Sequence, residues 1–369
     1  MMAFLRAVHR WFGLLLALPM LIQAVTGIFM VAAPPFGELA RPAPPASPGL
    51  PHPMAAVVAV AEAAAPGSVL LRYEASDDAR HPAVVDLGRP GQRAADTRIY
   101  VDPASLAVLG QAAHPDSLYR WVHAVHETLL IPGPAGRNVI GCCGIGLTIL
   151  ALTGVPIFWP RHGRWRAALT VPFGATGYRL QRGLHSAIGG WVMVLLFLQA
   201  ASGVTMAFPQ AFGAFFGVPQ LRMAPGQAPG GNGPRTVVLA GVEAALRDAA
   251  PDMRLVSLRF PPGAGRPLMA VMRPEGSDDG PPTLVMLDPA THRVLGKRDP
   301  DAGPTGAKVL AWLRTLHEGA GLGPVWRLAV GLTGLALVVF PITGVAMWLL
   351  RRSARRKRQM HATLQGAGE

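Results

Sequence analysis

Polar and apolar positions along the chain alternate on two scales. Residues 11–37, 138–160, 183–221 and 328–350 carry no formal charge. A bilayer crossing needs about 20 apolar residues, so the pattern predicts four transmembrane helices, near 10–33, 138–159, 184–208 and 328–350. Between the first and second runs, and again between the third and fourth, the pattern changes. A helix-like stretch (54–65, 236–249) is followed by short β-rich runs such as "SVLLRYEA" and "MRLVSLRF". Each intervening segment reads as a small α+β module of one helix and a few antiparallel strands. Stretches rich in Pro, Gly and Ala at 41–53 and 224–234 read as linkers.

The pattern is written twice. H-x3-G-x9-Q-x3-G occurs as His9, Gly13, Gln23, Gly27 and as His185, Gly189, Gln199, Gly203, at a constant offset of 176 residues. W-x4-H-E follows in each half, as Trp121, His126, Glu127 and as Trp312, His317, Glu318. Gly133-Pro134 matches Gly323-Pro324, Arg137 matches Arg327, and Gly141 and Gly144 match Gly331 and Gly334. Thr153-Gly154-Val155 matches Thr343-Gly344-Val345, and "YVDPASLAVLGQ" matches "MLDPATHRVLGK" as strand, turn, strand. The predicted fold class is therefore membrane α-helical: four transmembrane helices in two parallel repeats, with two small outer α+β modules. The implied organisation is helix 1 (1–36), module 1 (37–117), H-E helix and helix 2 (118–160), a basic loop (161–182), helix 3 (183–210), module 2 (211–305), H-E helix and helix 4 (306–351), and a basic tail (352–369).

Composition and charge orient this frame. The chain has 369 residues, is 50% hydrophobic and carries a net charge of +13, too apolar for an ordinary soluble enzyme. Arg6 and Arg10 precede helix 1. Arg161, Arg164, Arg166, Arg179 and Arg182 lie between helices 2 and 3. Arg351, Arg352, Arg355, Arg356, Lys357 and Arg358 follow helix 4. All fall on one side of a four-helix frame, and the positive-inside bias makes that side cytoplasmic. Both termini are then cytoplasmic and the α+β modules lie outside. The charge is read as orientation and contact with the lipid bilayer, not as nucleic-acid binding, for which no basic-aromatic signature exists. A cleaved leader at the N-terminus is the rival reading; the run is too long for a typical leader core and matches helix 3 in detail. Cys142 and Cys143 form no disulfide framework, and no C-x-x-C-H haem attachment is present.

Helical geometry puts His9, Gly13, Gln23 and Gly27 on one face, and the second copy shares it. Two such faces meeting across a bundle set His9 opposite His185 near the cytoplasmic end. Two imidazoles with a glycine one turn inward suit a flat, bulky cofactor, and haem iron takes two axial histidines. Two protein ligands leave iron no open position, so such a site moves electrons. His126 and His317 form the second pair near the outer side. A histidine at a span end is otherwise an interfacial residue or a satisfied hydrogen bonder. His123 shares a helical face with His126 and is its alternative, although its counterpart is Arg314. The H-E helix either lies along the surface or folds back into the bundle. Arg137 and Arg327 are read either as helix-end anchors or as partners of haem propionates. Gln23 and Gln199 read as interhelical hydrogen bonders, and Pro19 and Pro341 as kinks.

The segment "LRAVHRWFGLLLA", the two H-E helices, the two T-G-V triplets and the D-P-A modules together resemble the PepSY-associated transmembrane family, over about residues 4–352. That family includes bacterial inner-membrane di-haem ferric-siderophore reductases. The resemblance implies periplasmic PepSY-like modules, two b-type haems with His9, His126, His185 and His317 as axial ligands, and a ferric siderophore or other ferric chelate as acceptor. No G-x-G-x-x-G unit is present, so the donor, a cytoplasmic protein or a quinol, is expected to be separate. No catalytic residue is singled out. A non-redox, membrane-anchored binding or regulatory protein is the reading from another class. A transporter has less support, because no acidic residue sits inside any span.

Overall fold

The computed structural model describes residues 1–39, 47–76, 81–91, 95–113, 116–160, 163–218, 238–260, 266–276 and 280–366. The 224–234 linker, residues 41–46 of the 41–53 linker and Arg161 lie outside these residues. The chain forms two compact units. One holds residues 1–34, 120–209 and 313–369; the other holds 35–119 and 210–312.

The first unit is helical. Four of its helices are long and apolar enough to cross a membrane: α1 (Met2–Leu39), α4 (Pro134–Phe158), α6 (Gly177–Ala207) and α10 (Gly323–Gly366). Each begins ahead of its uncharged stretch. α6 begins within the segment read from sequence as the basic loop, which also holds the short α5 (Trp165–Ala168), and α10 continues through the basic tail. Arg, Lys, Gln, Met and Ala are good helix formers, and nothing between residues 345 and 365 breaks the chain. α1 and α10 run through Pro19 and Pro341 without interruption. Glycines allow close approach, as expected where packing rather than water drives helix association. A Cβ on Gly141 would strike Phe208 and one on Gly334 would meet Ile28 at 2.7 Å, so α4 closes on α6 and α10 on α1. Cys143 packs with Leu16 and Met20 in a small core between α4 and α1, while Cys142 is exposed; both are free thiols.

The second unit carries α2 (Met54–Ala64), β1 (Val69–Glu74), β2 (Ala83–Gly88), β3 (Thr97–Val101) and β4 (Val108–Ala113). The same order recurs as α8 (Leu239–Ala249), β5 (Met253–Arg259), β6 (Leu268–Pro274), β7 (Thr283–Leu287) and β8 (Val294–Arg298), preceded by α7 (Pro209–Phe215). The two sets share one antiparallel sheet, ordered β4-β3-β2-β1-β5-β6-β7-β8, joined where Tyr73 of β1 pairs with Leu258 of β5. α2 and α8 bury Val57, Val58, Val242 and Leu246 in one core with Val85, Ile99, Leu258, Leu268 and Leu287. On β2 all six residues are buried, and Asp86 forms a two-pronged ion pair with Arg98 of β3 at 2.7 and 3.0 Å. That pairing satisfies charges that would otherwise be costly to bury.

Two helices link the sheet to the spans in sequence: α3 (Asp116–Thr128), ahead of α4, and α9 (Thr305–His317), ahead of α10. They carry the two H-E motifs. α3 ends in two left-handed residues, Leu129 (φ 52°) and Leu130 (φ 60°), before Pro134 opens α4. Proline fits the first turn of a helix, where its missing N–H is not needed.

Candidate functional site

The helical unit gathers the four sequence-predicted histidines into two pairs. His9 on α1 and His185 on α6 face each other with ring centres 6.2 Å apart and ring planes at 81°. A metal–imidazole bond is about 2.0 Å, and the ring centre lies about 1 Å behind its nitrogen, so two rings sharing one metal stand about 6 Å apart. The observed separation matches. His126 and His317 lie within electrostatic reach of each other.

Each ring is held in one way. His9 Nδ1 lies 3.0 Å from Thr153 Oγ1 on α4, and His185 Nδ1 lies 2.8 Å from Thr343 Oγ1 on α10. His126 Nδ1 lies 2.9 Å from Thr26 Oγ1 on α1, and His317 Nδ1 lies 3.0 Å from Ser202 Oγ on α6. All four hydroxyls already donate to the carbonyl one helical turn back: Thr153 to Ile149, Thr343 to Val339, Thr26 to Ile22 and Ser202 to Leu198, at 2.6–2.8 Å. A hydroxyl has one proton to give, so toward the imidazole it accepts. The network therefore assigns the ring proton to Nδ1 and leaves Nε2 with a free lone pair. That tautomer suits metal ligation, and an acceptor at the far nitrogen is the usual outer support of a ligating histidine.

Backbone contacts finish the second pair. Gln23 Nε2 donates to the carbonyl of His126 at 2.9 Å, the interhelical bond its sequence position suggested. Gln199 contributes its backbone carbonyl, which accepts a further bond from His317 Nδ1 at 3.1 Å. A Cβ on Gly27 would stand 3.2 Å from His126 Cε1, and one on Gly203 3.1 Å from His317 Cε1. These two glycines make room for the rings, so the H-E helices do fold back onto α1 and α6. Gly13 and Gly189 differ. A Cβ there would rest in ordinary van der Waals contact with Leu150 at 3.9 Å or Phe340 at 4.0 Å, so neither glycine is pressed by a ring. Phe340 itself leans on His185, ring centres 5.0 Å apart.

The other predicted residues separate. His123 is half-exposed, 3.9 Å from Glu127, and so differs from the packed His126. Arg137 bonds Glu127. Its counterpart Arg327 has its side-chain stem beside Gly319. In the second half it is Arg314 that pairs with Glu318, at 2.9 Å. Thr26, Thr153, Ser202 and Thr343 are the residues of the candidate site that sequence reasoning missed. Two of them stood in the repeated T-G-V triplet; the other two precede Gly27 and Gly203 directly.

Four membrane-length helices enclosing paired histidines, in one chain with an α+β unit, define a multi-pass membrane protein. The chain belongs to the PepSY-associated transmembrane family: the description "PepSY-associated TM region" matches residues 6–351. Comparison with curated proteins gives no match.

Proposed function

We propose that this protein is a bacterial inner-membrane, bis-histidine di-haem b carrier that passes electrons from the cytoplasmic side to a periplasmic acceptor, a ferric siderophore or other ferric chelate. The observation that carries the reading is the 6.2 Å spacing of His9 and His185, with each Nδ1 occupied by a threonine. The donor set fits haem: two neutral imidazoles with free Nε2 atoms, each one turn from a glycine, Gly13 or Gly189, that no protein atom crowds. Among the described residues no group of three or more His, Cys, Asp or Glu could hold a metal ion. A two-ligand site asks for none.

His9, His185, His126 and His317 would hold haem, which would supply one-electron redox chemistry when bound. The chain's residues do the rest. Thr153, Thr343, Thr26 and Ser202 hold each ring and its tautomer. The 17 residues from His9 to Thr26, and again from His185 to Ser202, correspond to about 25 Å of helix. Two histidine levels so spaced suit the two sides of a hydrocarbon layer about 30 Å thick. The Arg-rich ends set orientation, with both termini cytoplasmic and the two PepSY-like repeats of the α+β unit periplasmic. Arg351 ties α10 to α6 at that end through the Tyr178 hydroxyl and ring. The donor, a cytoplasmic protein or a quinol, acts at the His9/His185 level.

The test is haem content and the reduced-minus-oxidised spectrum of purified protein. The expected result is two b-type haems. His9→Ala and His185→Ala should each remove the same one, and His126→Ala and His317→Ala the other. Folded but colourless protein from haem-replete cells would overturn the reading, in favour of a non-redox, membrane-anchored binding protein.

A further inference from the structure

We infer that the helical unit holds a binding site for a phosphate group at the end that carries His9 and His185. A cavity of about 280 Å³ opens there between α5 and the first turns of α6. Its polar lining is Thr170, Tyr178, Arg179, Arg182 and Ser186. Thr170 spends its hydroxyl proton on the Arg166 carbonyl. Tyr178 does not: Arg351 donates to its oxygen, so the phenol proton is left for another acceptor. Ser186 follows His185 directly, which sets the cavity beside the level of that histidine.

Charge selects the occupant. The sequence has no Asp or Glu from residue 128 to 242, none from 319 to 368 and none before Glu38. Among the described residues, the carboxylates of the helical unit are Glu127 and Glu318, and each is paired with an arginine, Arg137 or Arg314. Both belong to the other histidine level. Arg179 and Arg182 therefore line the cavity with no carboxylate partner among the described residues, and Arg351 adds a third cation at its rim through Tyr178. Guanidinium forks match the oxygens of phosphate in pairs. Two guanidinium groups lining one cavity with the Tyr178 hydroxyl suit a tetrahedral anion better than a planar carboxylate. The cavity exceeds one phosphate, so the phosphate arrives attached to something. A membrane phospholipid headgroup and a soluble phosphate ester share this chemistry. The site stands on its own lining and does not depend on haem.

The experiment uses the full chain in neutral detergent and two probes. Phosphatidylglycerol retention is read by native mass spectrometry, and ADP binding by equilibrium dialysis. The variant R179A/R182A is set against R355A/R356A, which removes equal charge from the tail. The expected result is a loss of about tenfold for one probe in R179A/R182A and not in R355A/R356A. Loss of phosphatidylglycerol identifies a lipid headgroup; loss of ADP identifies a soluble ester. Arg182→Lys keeps the charge and removes the fork, so it also weakens that probe, and it stands in if the double variant does not fold. Equal binding of both probes by wild type and R179A/R182A, equal loss in R355A/R356A, or no binding of either by wild type overturns the inference.

Discussion

Thr343 Oγ1 lies 2.8 Å from His185 Nδ1 and 2.8 Å from the carbonyl of Val339, so one hydroxyl both back-bonds its own helix and fixes the imidazole of another. An acceptor at Nδ1 increases the electron donation of Nε2, which favours the oxidised state of a bound metal. Thr343→Val keeps the shape and deletes the acceptor. A net hydrogen bond is worth about 1 kcal/mol, and for a one-electron couple 59 mV is a tenfold change, so the midpoint potential of the haem proposed at His185 should rise by roughly 20–60 mV. Thr343→Ser should restore it. A redox titration checks both, and an unmoved potential in the valine variant would reduce Thr343 to a packing residue.

The four glycines of the repeated motif should divide into two classes. Gly203→Ala puts a methyl 3.1 Å from the Cε1 of a ring already held by Ser202 and Gln199, and Gly27→Ala does the same to His126 at 3.2 Å. Neither ring can yield without losing a bond, so the haem proposed for His126 and His317 should be depleted. Gly13→Ala and Gly189→Ala meet no protein atom closer than 3.9 Å. Alanine also favours a helix over glycine by up to about 1 kcal/mol. The colourless protein should therefore lose no thermal stability in these two variants, while the content of the haem proposed for His9 and His185 falls. Thermal unfolding with and without haem, alongside spectra, separates the classes.

What the sequence made legible follows from what repeats. The uncharged runs announced the spans because charge is excluded from hydrocarbon, and His9, His185, His126 and His317 stood out because they recur at fixed positions in apolar surroundings. Their hydroxyl partners did not. Thr and Ser in apolar helices are ordinary back-bonders, and Thr26 is matched by Ser202, so no identical residue marks the pair. The facing of His9 and Thr153 depends on the register of α1 against α4, which neither helix encodes alone. The β1–β5 junction was hidden for a similar reason: Tyr73 and Leu258 are distant in sequence, and any exposed strand edge offers the same backbone groups. Arg137 and Arg327 looked equivalent, yet the halves solve their glutamate pairing differently, through Arg137 in one and Arg314 in the other.

Glu243 couples the two halves of the sheet unit. Its Oε1 accepts from the backbone N–H of Met54 at 2.6 Å, so α8 of the second half caps α2 of the first, where Pro53 offers no side-chain cap. Its charge lies near the buried Tyr73, whose hydroxyl is pushed up to about 12 by burial and then by Glu243. Glu243→Ala should destabilise the start of α2 by about 1–2 kcal/mol. Hydrogen exchange of the amides from Val57 to Ala61 should quicken by about tenfold, with the β7–β8 hairpin unchanged. Equal protection in the variant would mean that core packing alone holds α2.

Acid should loosen the two D-P-A hairpins before the helical core of the sheet unit. Burial would raise the pKa of Asp102, but bonds from Ser47, Ser105 Oγ and the Ala104 N–H outweigh it and hold the carboxyl well below the usual range. Asp288 is lowered in the same sense: burial opposes, while the N–H groups of Thr291 and Ala290 and the charge of Arg293 prevail. Each carboxylate anchors a turn that ends in a left-handed residue, Leu106 (φ 60°) or His292 (φ 57°), which a relaxed loop would abandon. With the folded pKa depressed, the stabilisation is complete above the unfolded value of about 3.9 and is lost as pH falls through the folded one. Asp102→Asn removes that dependence for the first hairpin alone. Hydrogen exchange of the β3–β4 turn at pH 7 and at about pH 3 should therefore show acid loosening in wild type. In the variant the turn should be looser at neutral pH and change less on acidification. If the variant and wild type lose protection in parallel as the pH falls, the carboxylate is not what the acid acts on.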